Sequence, residues 1–421
     1  MPGLASKSDI GQRVRKYRKL RGMSLRTTAQ LAGISPAFLS MVENGERMLD
    51  RLSHIQAIAD ALRVSPADLV DSAAATGMRA EVSGEVESSM ACLRSTLLGT
   101  ASVPAGRLAH LRGVEDLARQ VDLLTQAYDR CQFARVALGL PAVLAAACAR
   151  PDQAEAELTR LWLTIYQNLC IPVLREFGYL DLMALALEIS QPLAEECGDA
   201  VDVAVVAWQR SQLYTRLGLH GYAATVAEVA ADKLAAELLR TRRARSVYGR
   251  LHITAGLARA RLPAPGAAPY AHLAEAEQVA GHDPWPGPVD SLARLSGTSL
   301  LLNRLELLCV LGHFDSVPAV LRELDAHPPE NHIDSYGFHL LAGSSLAHLP
   351  TGEPQATAHL VNAEKIAPHA FVCDPYARRA VGTLLNRPTY QSVRVTLRGL
   401  AHRMGPGSCQ GPTGSRSGTD R

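Results

Sequence analysis

The 421 residues hold few rings. Aromatic side chains make up 5 % of the chain, a thin supply for the large-ring packing that fills β-sandwich cores. Eight cysteines, at 92, 131, 148, 170, 197, 309, 373 and 409, never form a C-x-x-C pair, which argues against a zinc ribbon or redox dithiol and reads as free thiols in a reducing cytoplasm. The longest apolar run, Val136–Ala149, has 14 residues, too few to cross a bilayer, and the N-terminus carries charge where a signal peptide needs an apolar centre. No Walker loop, G-x-S-x-G, dinucleotide fingerprint or H-E-x-x-H occurs, and His282-Asp283, His327 and His332 lack metal-ligand spacing. The expectation is a cytoplasmic protein that is not an enzyme and needs neither metal nor cofactor. Lysine occurs five times against 38 arginines, a bias of coding composition that carries no chemistry.

What is present is 47 % hydrophobic and rich in Ala and Leu, the composition of a helical protein with ample core. The net charge is only +2, but residues 1–26 hold Lys7, Arg13, Arg15, Lys16, Arg18, Lys19, Arg21 and Arg26 against Asp9 alone. Residues 1–71 carry +4 and the other 350 residues −2, so an anionic partner is met by the front of the chain.

Apolar positions and caps parse residues 1–71 into five short helices. Ile10, Val14 and Tyr17 recur at helical spacing before Gly22; Ser24 caps a second helix running to Gly33; Ser35-Pro36 opens a third that ends at Asn44-Gly45. A fourth covers about 50–63, and Ser65-Pro66-Ala67-Asp68 repeats the cap-plus-proline device. Residues 72–80, small and polar, read as a linker. From 81 to about 404 the segments read as helical, and between about 200 and 400 they come in pairs with a weak recurrence, whose anchors Tyr222, Tyr270, Phe314 and Gln355 lie 48, 44 and 41 residues apart. Such pairs stack because one alone cannot bury its apolar face. The Gly/Pro/Ser-rich residues 405–421 are expected to be disordered.

The run Ser24 to Gly45, SLRTTAQLAGISPAFLSMVENG, has what a helix-turn-helix requires: Ala29 for a close crossing, Gly33 for a positive φ at the turn, and Ile34, Leu39 and Val42 to lock the second helix on the first. Residues 8–70 resemble the XRE-type (lambda repressor/Cro-like) helix-turn-helix regulators. That resemblance implies a strut between Arg18 and Glu43, and places the third helix in the major groove. Its base-reading positions are then Arg26, Ser35, Pro36, Ala37, Ser40 and Met41, and its phosphate contacts Arg13, Lys16, Ser24, Asn44 and Arg47. Pro36, Ala37 and Met41 depart from relatives that carry Gln, Arg or Asn there, so specificity leans on thymine methyls, serine hydroxyls, Arg26 and DNA shape. Thr28 is a second departure, standing where the family has a bulky aliphatic.

The helical pairs resemble tetratricopeptide repeats. Behind a helix-turn-helix head they are similar to the peptide-responsive regulators of Gram-positive bacteria and their counterparts in actinomycetes, in which the array dimerises and holds a ligand. Candidate groove residues are Asn168, Arg210, Tyr214, Tyr248, Arg250 and Asn303, with repeat core and solvated surface as the simpler reading of each. Arg240, Arg242, Arg243 and Arg245 read as a solvated turn, or as a surface for an acidic partner or DNA flanks; Trp162, Trp208 and Trp285 read as core. The fold expected is all-α: a five-helix head at 1–71, then an α-solenoid at 81–404. The function expected is a sequence-specific DNA-binding transcription regulator. It is dimeric on an inverted repeat of double-stranded DNA, away from membranes, with a body that senses a peptide or small-molecule effector. The alternative is a protein-interaction scaffold whose head binds DNA weakly or not at all.

Overall fold

The computed structural model describes residues 9–20, 23–47, 54, 57–58, 61–62, 73–99, 114–148, 155–237, 241–280, 295–387 and 391–404. The side chains of 9–10, 12–13, 16, 20, 73–83, 148, 155, 237 and 391–392 are excepted. Every regular element among the described residues is a helix, and the chain divides into two compact units, Met1–Glu85 with Arg378–Arg421, and Val86–Ala377.

In the first unit α1 (Asp9–Leu20), α2 (Leu25–Leu31) and α3 (Pro36–Glu43) close on a small core of Val14, Ala29, Leu39 and Val42. Ile58 and Leu62, from the expected fourth helix, complete it at 0 % exposure. The expected fifth helix and the end of the head, at 63–72, lie outside the described residues, as does the 405–421 tail. The 72–80 linker segment opens a helix instead, α4 (Ala73–Leu97), as its run of alanines favours. The last helices are α19 (Pro375–Leu385) and α20 (Gln391–Met404).

The second unit is a stack of helix pairs, an α-solenoid of tetratricopeptide-like units. α5 (Val114–Asp129) pairs with α6 (Phe133–Cys148). A run from Glu155 to Glu176, made of α7 (Glu155–Ile165), a π turn (Tyr166–Cys170) and α8 (Ile171–Glu176), pairs with α9 (Leu180–Cys197). Then follow α10 (Ala200–Arg216) with α11 (His220–Leu234), α12 (Arg242–Ala260) with α13 (Ala268–Ala280), α14 (Gly297–Leu311) with α15 (Val317–Ala326), and α16 (His332–Leu346) with α17 (Glu353–Ile366); α18 (Pro368–Cys373) leads into α19. The π turn has a local cause: Pro172 lacks an N–H and its ring would strike the Asn168 carbonyl four residues back.

The four repeat anchors each sit in the first turn of a second helix or, for Phe314, in the 3-10 turn that leads into one. Alanines at 223, 224, 227, 230 and 231 of α11 are all buried, letting the pairs approach closely. The register shows most plainly two repeats apart. His252 and His272 join Nδ1 to Nδ1 at 3.0 Å, and His339 and His359, each 87 residues later, do so at 2.9 Å. Gly256 and Gly343 share that offset: a Cβ on Gly256 would lie 3.0 Å from the Pro269 carbonyl, and one on Gly343 2.8 Å from Leu360.

Of the arginine run, Arg240 lies outside the described residues, and the rest is not simply a solvated turn. Thr241 caps α12, and Arg243 reaches across to Asp202 at 2.6 Å and Asp199 at 3.4 Å. Asp202 is 2 % exposed, and a buried carboxylate of that kind requires a cation, which the spacing along the chain does not show. Trp208 is core, as expected, at 5 % exposure.

Candidate nucleic-acid interface

The turn between α2 and α3 is built from short-range chemistry. Ser24 Oγ accepts from the Thr27 amide at 3.0 Å and Ser35 Oγ from the Phe38 amide at 3.1 Å, so each serine caps the first turn of its helix. Pro36 follows Ser35 at N1, where a missing N–H costs no hydrogen bond. Gly33 takes φ +63°, and the Ile34 amide returns to the Ala29 carbonyl at 3.0 Å, which fixes the angle between the two helices. At the far end of α3, Asn44 remains right-handed at φ −88° and the left-handed exit falls on Gly45 at φ +74°.

What holds α3 in place is partly ionic. Arg18 of α1 donates from Nε and Nη2 to the two carboxylate oxygens of Glu43, both at 2.7 Å, and from Nη1 to the Met23 carbonyl at 3.0 Å. The strut implied by the family resemblance is therefore present, and Arg18 is engaged inside the head. Glu43 is 5 % exposed, and its bonds to Arg18 hold that guanidinium above its ordinary pKa. Gly11 is the other anchor, absent from the expected set: a Cβ there would lie 1.8 Å from the Val42 carbonyl, so α1 crosses the end of α3 with backbone against backbone. Its only signal in the sequence is a lone small residue on the inner face of helix one. Thr28 is fully buried, and its hydroxyl donates to the Ser24 carbonyl at 3.1 Å.

The outward face gathers most of the expected base-reading set. Arg26, Ser35, Pro36 and Ala37 are exposed, and Ser40 and Met41 half-buried. Ser35 Oγ accepts from the helix, leaving one hydroxyl proton to donate. Among the phosphate candidates Ser24 is exposed but occupied by its cap, Asn44 is exposed, and Arg47 is exposed with its guanidinium 5.2 Å from the Phe38 ring centre. Phe38 also meets His54 edge-on at 5.2 Å. This half-buried ring aims Arg47, a role the sequence reading did not assign. The side chains of Arg13 and Lys16 lie outside the described residues.

The six groove candidates do not form one site. Arg250 and Asn303 line a cavity among the first helices of successive pairs. Tyr248 donates to Glu275 at 3.1 Å, Arg210 pairs with Glu188 at 3.2 Å, and Tyr214 packs its ring edge-on to Tyr222. Asn168 lies in the π turn, half-buried.

Fold and turn together define a helix-turn-helix domain of the XRE type, followed by tetratricopeptide-like repeats, and residues 9–73 match the family model described as a helix-turn-helix domain. Over 62 residues, 15 % of this chain, it is 34 % identical to the HTH-type transcriptional regulator SinR of Bacillus subtilis (strain 168). That match spans 56 % of SinR, so the chain covers about half the length of this curated relative. The crystal structure of Bacillus thuringiensis PlcR in complex with the peptide PapR7 and DNA aligns with 65 % of this chain and 94 % of PlcR, at 12 % identity and a TM-score of 0.31, a likeness too slight to carry an argument. No described helix is long and apolar enough to cross a membrane.

Proposed function

We propose that the protein is a sequence-specific DNA-binding transcription regulator of the cytoplasm, acting as a homodimer on an inverted-repeat operator, with a repeat body that senses a peptide or small-molecule signal. The observation that carries the reading is the third helix: its inner side is fixed by Gly11 and the Arg18–Glu43 pair, while Ser35, Pro36 and Ala37 face outward. A helix held this way enters the major groove with its N-terminal residues at base edges. Arg26, Ser35, Pro36, Ala37, Ser40 and Met41 read bases in this scheme, and Arg13, Lys16, Ser24, Asn44 and Arg47 hold phosphates. The head occupies 1–71 and the sensing and dimerising body 81–404.

With no bidentate donor on the outer face of the third helix, one head reads weakly, and a two-fold dimer on half-sites one turn apart supplies the missing affinity. Selection of bound fragments from a random DNA pool by the full chain tests this. An inverted repeat is expected; a pool recovered without enrichment supports instead an interaction scaffold with a head that does not read.

A further inference from the structure

The small net charge of the chain conceals a second cationic stretch. Residues 375–404, which span α19 and α20, hold Arg378, Arg379, Arg387, Arg394, Arg398 and Arg403 and no aspartate or glutamate, a net +6 in 30 residues. Averaged over the 350 residues behind the head, this stretch disappears beneath a value of −2. From Arg378 onward it falls in the same compact unit as the helix-turn-helix.

In α20 the charge is sorted to one side. Val395, Leu397, Leu400 and Met404 are buried, and the described side chains of this helix that are exposed are Arg394, Arg398 and His402. A step of four residues turns about 40° beyond a full revolution and rises about 6 Å, so the three form one stripe about 12 Å long. Among the described residues no hydrogen bond, ion pair or ring contact engages these three side chains, whereas Arg378, Arg387 and Arg403 are engaged. Helix physics alone does not favour the arrangement. Like charges four residues apart oppose helix formation, and Arg394 ends the first turn, where the positive end of the macrodipole favours an anion. An external polyanion relieves both.

We propose that the stripe of Arg394, Arg398 and His402 is a second phosphate-binding surface, which holds the backbone of duplex DNA without reading bases. Phosphates of one strand advance about 3.4 Å along the duplex axis, so every second one, about 6.8 Å on, matches the step of the stripe. Guanidinium forks pair with phosphate oxygens through two N–H groups, and the imidazole donates one in either tautomer. An anionic lipid surface is a poorer fit, because a helix lying in that interface buries its apolar side there, and the apolar side of α20 is already covered by protein. The inference extends the proposed function, resting on that reading for the duplex as the anion but not for any base contact by the head.

The test is the salt dependence of full-chain binding to a mixed-sequence duplex of about 40 base pairs, followed by fluorescence anisotropy between about 0.05 and 0.2 M salt. Each phosphate contact adds about 0.9 to the steepness of log affinity against log salt, so Arg394→Gln, Arg398→Gln should flatten the slope by about 1.8 per bound chain and weaken binding at least about tenfold at the low-salt end. Arg394→Lys, Arg398→Lys keeps both charges and should retain the parent slope, which separates charge from folding. The ratio of affinities for the selected inverted repeat and a scrambled duplex should be unchanged in the glutamine variant, because phosphate contacts carry no sequence information. A parent slope in the glutamine variant, or equal flattening in the lysine variant, would overturn the proposal. So would arginine-dependent sedimentation with phosphatidylglycerol vesicles alongside parent-like DNA binding. A head that does not read bases removes the sequence preference and leaves the slope difference intact, so the two failures are distinct.

Discussion

Replacing Glu43 by alanine removes one half of the pair that fixes the third helix. The Glu43 side chain is 3 % exposed and Arg18 13 %, and the two N–H···O bonds are each 2.7 Å. Breaking a buried pair from one side strands the remaining charge, at a cost of about 3–5 kcal/mol. Arg18 keeps its bond to the Met23 carbonyl and a narrow opening to water, which sets the expected loss near the lower bound, about 3 kcal/mol. At about 1.4 kcal/mol per factor of ten, amide protection over residues 36–43 should fall roughly a hundredfold. Hydrogen exchange on the full chain reads this directly, with peptides from 242–260 as the unaffected reference. The double replacement Arg18→Met, Glu43→Leu removes the stranded charge and should recover most of the protection. Protection in Glu43→Ala within a few-fold of the parent, or a double variant no better than the single, would refute the strut.

Gly11→Ala should also be damaging, by about 1–3 kcal/mol, because the new methyl meets a backbone carbonyl that no rotamer change can move; the same exchange measurement should show α1 and α3 losing protection together. His339 and His359 are both held below the ordinary value near 6.5, chiefly by burial, His339 also by its partner ring, with Asp325 opposing at His359. Their folded values lie below the unfolded one, so the stability of the neutral pair is complete above about pH 6.5 and is lost as pH falls through the folded values. Melting temperature should therefore drop from about pH 7.5 to about pH 5, and less so in a His339→Gln, His359→Gln variant. If about five phosphates are held per half-site, the dimer's affinity should fall with a log–log salt slope near −9; a slope near half that value would indicate one head on the DNA.

Much of the head is legible along the chain because its determinants are local. A serine three residues before an amide, a glycine at a positive-φ turn and a proline at N1 are spacings within one turn of helix, and all are found where expected. Gly11 is not legible in this way, since its reason is the Val42 carbonyl 31 residues on. In the body, the anchors Tyr222, Tyr270, Phe314 and Gln355 mark where the second helices begin, and the pairing follows from them. They leave the rotation of the first helices undetermined. The cavity wall uses Arg216 at the end of α10, Arg261 at the C-cap of α12 and Glu306 within α14, one from each of three successive first helices. Arg210 and Tyr214, two residues to either side of the wall residue Gln212, point about 200° around the helix from it and meet Glu188 and Tyr222 instead. A groove chosen by residue type without that register therefore mixes faces, and only Arg250 and Asn303 of the six candidates reach the cavity.

The central claim is that the exposed face of the third helix reads base sequence. It is tested most directly by the ratio of affinities for the selected inverted repeat and for a scrambled duplex of equal length, measured at about 0.15 M salt for the parent and for an Arg26→Ala, Ser40→Ala variant. A parent ratio on the order of a thousand or more is expected, with a fall of at least about tenfold in the variant and affinity for the scrambled duplex changing far less. Equal affinity of the parent for both duplexes, or a ratio untouched by the two replacements, would contradict it.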